Sequence, residues 1–174
     1  MALFETIKYR VIFKDKNIEL REYDEILLAS TKSFLNARRD SGFNNVFNYI
    51  SGENDQRKKI SMTTPVVSCE DEGELVTGFY VPSKYDQSSV PKPTQDNVFI
   101  DKLDKNIYAV IRFNGSWTDD NFDRQDKLLR EFLERNNYQI ISKRLVLRYQ
   151  PPFVPGLFRR NEIAYQVKSE DSLT

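Results

Sequence analysis

Histidine is absent from all 174 residues, so no Ser-His-Asp or Cys-His catalytic scheme, HExxH zinc site or imidazole-ligated metal is available to this chain. Cysteine occurs once, at Cys69, which rules out an intrachain disulfide and a multi-cysteine zinc site. Cys69 stands beside Glu70, Asp71 and Glu72 with no base-bearing motif nearby, and reads as an inert thiol. Charge of one sign is also missing. The 26 Lys+Arg balance 26 Asp+Glu, leaving no broad positive field for nucleic acid. No stretch approaches the ~18 apolar residues of a membrane span, and residues 1–8 lack the apolar run of a signal peptide. The expectation is a soluble, cytoplasmic protein in a reducing compartment, with no membrane insertion and one domain over residues 1–174.

What is present is a chain of clear periodicities. Residues 7–13 and 18–23 alternate apolar and charged side chains around Asp15-Lys16-Asn17, predicting a hairpin with one wet face and Ile18, Leu20 and Tyr23 inside. Residues 26–34 read as a third strand. Phe43, Val46, Phe47 and Ile50 fall at i, i+3, i+4 and i+7, predicting a short amphipathic helix closed by Ser51-Gly52. Residues 58–67 read as a strand interrupted by Pro65, with residues 75–81 as its partner across Asp71-Glu72-Gly73. After a loop over residues 82–93, residues 98–103 and 107–113 predict a hairpin about Asp104-Lys105-Asn106. The longest helix is predicted over residues 119–136, with Thr118 as N-cap and Phe122, Leu128, Leu129, Phe132 and Leu133 as its buried stripe. Strands over residues 144–149 and 162–167 flank an apolar, proline-bearing loop.

Residues 26–81 and 107–167 therefore each read strand, helix, strand, strand, a repeat of architecture without sequence identity. It predicts an α+β fold with two helices on one side of a mainly antiparallel sheet that curls toward a barrel.

Few residues offer chemistry. No spaced carboxylate pair stands out, so acid/base catalysis has no warrant and the chain is read as non-enzymatic. The helical stripe around Phe43 and Phe47 reads first as core, but Arg39, Phe43 and Phe47 at i, i+4, i+8 also suit a flat apolar ligand with a carboxylate edge. In the late loop, Phe153, Val154, Leu157 and Phe158 either plug the core or form the lip of a pocket. Arg159-Arg160-Asn161-Glu162 is read as a structural clamp on neighbouring carbonyls or carboxylates in preference to an anion site. Met62 is read as packing rather than as a soft iron ligand.

Three segments, Val46-Phe47-Asn48-Tyr49-Ile50-Ser51-Gly52, Lys59-Ile60-Ser61-Met62-Thr63-Thr64-Pro65-Val66, and Tyr149-Gln150-Pro151-Pro152 continuing to Arg159-Arg160-Asn161-Glu162-Ile163, together resemble the SOUL haem-binding protein family. The stretches Gly78-Phe79-Tyr80-Val81-Pro82-Ser83-Lys84-Tyr85 and Pro91-Lys92-Pro93-Thr94 fit as well. The resemblance implies a duplicated β-α-β-β unit, a distorted antiparallel barrel flanked by two helices, related to the gyrase-inhibitor-like effector-binding fold. It also implies binding or carriage of haem or another tetrapyrrole, in a groove between the first helix and the late proline-rich loop. By position the groove residues are Arg38, Arg39, Phe43, Phe47, Phe153 and Val154. Some relatives ligate iron through a histidine, which is missing here, and basic positions that serve propionates elsewhere fall at Asp40, Asn48 and Val154. The expectation is a ligand not required for folding, held without histidine ligation. The alternative is an effector-binding module for another flat or amphipathic small molecule.

Overall fold

The structure, a computed structural model, describes residues 4–34 and 40–170. In chain order the strands and helices are β1 (Glu5–Thr6), β2 (Arg10–Asp15), β3 (Ile18–Tyr23), β4 (Ile26–Phe34), α1 (Asp40–Ser51), β5 (Thr63–Thr64), β6 (Val66–Asp71), β7 (Glu74–Tyr80), β8 (Val98–Leu103), β9 (Asn106–Asn114), α2 (Asp119–Arg135), β10 (Tyr138–Ile140), β11 (Leu145–Arg148) and β12 (Arg160–Ser169). They gather into two units. Unit 1 takes the N-terminal residues through Ile7 and Glu25–Asp104; unit 2 takes Lys8–Asp24 and the chain from Lys105 onward.

In unit 1 the antiparallel order is β6-β7-β4-β8, and β1 pairs in parallel with β5. The β6–β7 turn places Glu72 and Gly73 at positive φ, the backbone that a tight hairpin demands. Helix α1 lies on the face carrying Leu27, Ala29 and Phe79, and contributes Val46, Tyr49 and Ile50 to their core. Gly42 lets it approach closely, since a Cβ there would stand 3.3 Å from Thr31 Cγ2. The predicted strand over residues 58–67 forms only at Thr63–Thr64 and from Val66, with a cis Thr64-Pro65 bond between them.

In unit 2 the order is β2-β3-β9-β12-β11, with β10 also on β12. Helix α2 covers one face, packing Phe122, Leu129, Phe132 and Leu133 against Ile18, Leu20, Ile111, Ile163 and Tyr165. Thr118 caps it as expected, its hydroxyl accepting the Asn121 backbone N–H. Leu128, expected in the buried stripe, is 47% exposed, because it lies outside the arc shared by Phe122, Leu129, Phe132 and Leu133. Alternation predicts a dry face for β2, yet all six of its residues are exposed: it is an edge strand, bulged between Val11 and Phe13.

The predicted hairpin over residues 98–103 and 107–113 does not form. Its two strands exist, but β8 pairs with β4 in unit 1 while β9 pairs with β3 and β12 in unit 2. Neither Asp104 nor Lys105 has the positive φ of a tight reversal, so the chain runs on instead of folding back. The same happens between β3 and β4, so the two repeats exchange their leading strands: Tyr23 pairs with Asn106 as Ile26 pairs with Leu103.

Candidate functional site

The helical stripe of α1 divides. Val46 and Tyr49 are fully buried and Ile50 nearly so, whereas Phe43 and Phe47 remain 37% and 45% exposed. Spaced by one turn, the two exposed rings stack at 6.0 Å with 14° between their planes. Phe43 is backed by buried Phe79, 5.3 Å away and tilted by 59°. The result is a near-parallel aromatic ledge on the outside of unit 1, supported from below by the core. Phe34, at the end of β4, leaves a further aromatic ring 76% exposed in the same unit.

A cavity lies behind α1, walled by Tyr49, Ile50, Ile60, Met62, Phe79 and Tyr80. Its room is about 10 Å³, enough for one water-sized group. A large ring cannot enter it. Met62 belongs to this wall, which accords with the packing role read from the sequence. Cys69 is half-buried and forms no disulfide.

Arg38 and Arg39 fall outside the described residues. The late loop belongs to unit 2, where Phe153, Leu157 and Phe158 are 86%, 73% and 69% exposed, so these side chains do not plug a core. Val154 is half-buried. The loop backbone is nonetheless held firmly. The Arg159 guanidinium donates to the carbonyls of Val154 at 2.7 Å and Pro152 at 2.5 Å and lies 4.3 Å from the Trp117 ring. Gly156 accepts the Gly115 N–H, packed where a Cβ would strike Ser116.

Arg160 completes the clamp read from the sequence, donating to Glu162 at 2.8 Å and stacking on Tyr149 at 3.9 Å. What the sequence did not disclose is Arg21. Strands β3 and β12 alternate, so their apolar residues meet α2 while Arg21, Tyr23 and Glu162 turn to the other face of the unit 2 sheet. There Arg21, 1% exposed, makes a bidentate pair with Glu162, 0% exposed, with both bonds at 2.9 Å. Tyr149 donates to the same carboxylate at 2.9 Å, and Arg21 also reaches Glu19 at 2.7 Å and Tyr23 at 3.0 Å. Burial works to raise the Glu162 carboxyl, but the Arg21 and Arg160 guanidinium groups outweigh it and hold the group below its ordinary value. Burial pushes the Tyr23 and Tyr149 phenols up. Every charge is answered, and the arrangement is a closed polar core rather than an open site.

Among the described residues no group of three or more His, Cys, Asp or Glu is placed to hold a metal ion, and no helix is long and apolar enough to cross a membrane.

A sequence model described as SOUL heme-binding protein matches residues 4–166. Heme-binding protein 2 of Mus musculus is 28% identical over 142 residues, covering 76% of this chain and 68% of the relative. Heme-binding protein 2 of Homo sapiens is 32% identical over 82 residues, covering 43% of this chain and 40% of the relative. In three dimensions the chain is similar to the C-terminal domain of EcmrR, with a TM-score of 0.65 at 12% identity over 92% of this chain and 98% of that one. That likeness shows a shared α+β fold.

Proposed function

Because the chain belongs to the SOUL heme-binding protein family, we propose that it binds haem or a related tetrapyrrole non-enzymatically, with the ring laid against Phe43 and Phe47 of α1 and no histidine on the iron. The observation that carries this reading is the stacked pair itself. Two near-parallel, exposed rings with a buried third ring behind them match a flat apolar face. The donor set fits a ring better than a metal, since imidazole is absent from the whole sequence. Haem supplies a redox-active, Lewis-acidic iron when bound; the residues of this chain supply the surface that orients the macrocycle. Arg38 and Arg39, immediately before α1, are proposed to attract its carboxylates, and Phe153 and Val154 form a second apolar surface to be tested on its own.

The experiment is an absorbance and fluorescence titration of the wild type and of Phe47→Asp with ferric haem and with iron-free protoporphyrin. The wild type should bind the metal-free ring within about threefold of haem, and Phe47→Asp should weaken both by about tenfold or more while melting as the wild type does. Unchanged binding in the variant removes the ledge from the site. A metal-free ring bound a hundredfold more weakly reveals an iron ligand and overturns the ring-contact mode. Binding of neither ring, with other flat aromatic compounds still retained, moves the assignment to an effector module.

A further inference from the structure

Single apolar side chains on a surface need no explanation, but Phe153, Leu157 and Phe158 of unit 2 fall close together in one loop, and each is more than two-thirds exposed. The backbone beneath them is unusual for a loop in water. Pro151, Pro152 and Pro155 stiffen it and have no N–H to leave unpaired. The Val154 N–H donates to the Pro151 carbonyl at 3.1 Å, and the Phe158 N–H to the Pro155 carbonyl at 2.9 Å. The carbonyls of Pro152 and Val154 are taken by the Arg159 guanidinium. Gly156 accepts from the backbone of both Gly115 and Arg159, and the Leu157 carbonyl accepts the Asn114 side-chain amide at 3.3 Å.

Solvent satisfies an exposed carbonyl at no cost, whereas hydrocarbon cannot, so backbone placed against lipid has to be bonded within the protein. Exposed apolar side chains over an internally bonded backbone are what that medium demands. The same bonding disfavours a partner that adds a strand, which needs free N–H and C=O groups. Charge points the same way. No carboxylate occurs from Tyr149 to Asn161, and the two cations of that stretch are committed, Arg159 to the loop carbonyls and Arg160 to Glu162. The sole tryptophan of the chain, Trp117, is half-buried against the loop, its ring 4.3 Å from the Arg159 guanidinium and its Nε1 donating to Asn161 at 2.8 Å. Tryptophan is the residue type favoured where hydrocarbon meets headgroups.

We propose that the loop over residues 151–158 docks the protein on a phospholipid surface, with Phe153, Leu157 and Phe158 entering the boundary between headgroups and acyl chains. The contact is peripheral, made by side chains of one loop and by no spanning segment. Its driving force is apolar burial, so zwitterionic lipid suffices and anionic headgroups are not needed. The proposal is independent of the tetrapyrrole reading, which concerns α1.

The test is sedimentation of the full chain, without porphyrin, on phosphatidylcholine vesicles, together with quenching of Trp117 fluorescence by the same lipid carrying brominated acyl chains. The wild type should partition onto the vesicles, lose Trp117 emission on the brominated ones, and keep both responses when salt is raised, because no exposed charge makes the contact. Phe153→Ser/Phe158→Ser should lower the partition coefficient by about tenfold or more and melt as the wild type does, since both rings already lie in water. If that variant melts lower, Leu157→Ser alone should still weaken partitioning by about threefold. Ile12→Ser, which removes a comparably apolar side chain that is 46% exposed on β2 of the same unit, should bind as the wild type. Equal losses in Ile12→Ser and the loop variants, or binding without quenching of Trp117, would place the lipid elsewhere and overturn the loop. Binding that requires anionic lipid and disappears with salt overturns the apolar mode. A wild type that ignores the vesicles overturns the proposal outright and returns the loop to a protein-facing role.

Discussion

Glu162 sits at zero exposure, where an unpaired carboxylate would cost several kcal/mol, and it is tolerated because Arg21, Arg160 and Tyr149 all donate to it. Glu162→Gln leaves two guanidinium groups facing a neutral amide, and the expected loss is about 3–5 kcal/mol in denaturant unfolding. A loss under about 1 kcal/mol would mean that water reaches the cluster. The linkage to pH follows from the direction of the shift. The folded carboxyl lies below its unfolded value of 4.5, so its contribution is complete above that value and is lost as pH falls through the depressed folded one. Acid titration of stability should therefore be steeper in the wild type than in Glu162→Gln, with the difference confined to pH below the ordinary carboxylate range. Only half of this pair was legible beforehand. Arg160 and Glu162 share a strand and announce a clamp, but Arg21 lies in Ile-Glu-Leu-Arg-Glu-Tyr, where alternation assigns it to water. Its burial is decided by which residues cover the second face of the sheet, and periodicity along one strand carries no information about that.

Elements with a marked period were readable, as were the β2–β3 and β6–β7 pairings, whereas the partners of β8 and β9 were not. Helix α2 follows its stripe and its cap, so Thr118→Ala should cost about 1 kcal/mol, measured as a shift in urea midpoint with unchanged slope. Leu128→Lys should be close to neutral, since the side chain is 47% exposed; a loss above about 2 kcal/mol would restore it to the core that the sequence assigned it to. On α1 the period correctly located a helix but could not grade the depth of each residue. Phe43 and Phe47 share the hydrophobic arc with Val46 and Ile50, yet only the latter two are buried in the core with Val81 and Ile60. A ledge for a ligand and the rim of a core have the same signature in sequence, and the exposure of individual rings is what separates them. The loop over residues 53–60 gave no signal either, because its order comes from one buried side chain, Asn54, bonding back to the helix.

At the scale of the molecule, the exchange of leading strands means that neither repeat is complete on its own sequence. Strand β4 takes β8 from the second half, and β9 takes β3 from the first. Strand β9 is the centre of the unit 2 ladder, with Ala109, Val110 and Ile111 at 0% exposure between β3 and β12. Cleavage between Asp96 and Asn97, both exposed, should therefore separate two fragments that do not fold alone. Residues 1–96 would leave one side of β4 unpaired and the β2–β3 hairpin without β9. Residues 97–174 would leave β9 open along one edge, with Ile111 stripped of Ile18 and Leu20. Mixed at equal concentration, they should recover a single cooperative transition and hydrogen-exchange protection at residues 109–111. The competing outcome is specific. If residues 97–174 alone give a cooperatively folded species in which residues 98–103 pair with residues 107–113, the local hairpin that the sequence suggests is available after all. The long-range exchange would then be a preference of the intact chain rather than a requirement of each unit.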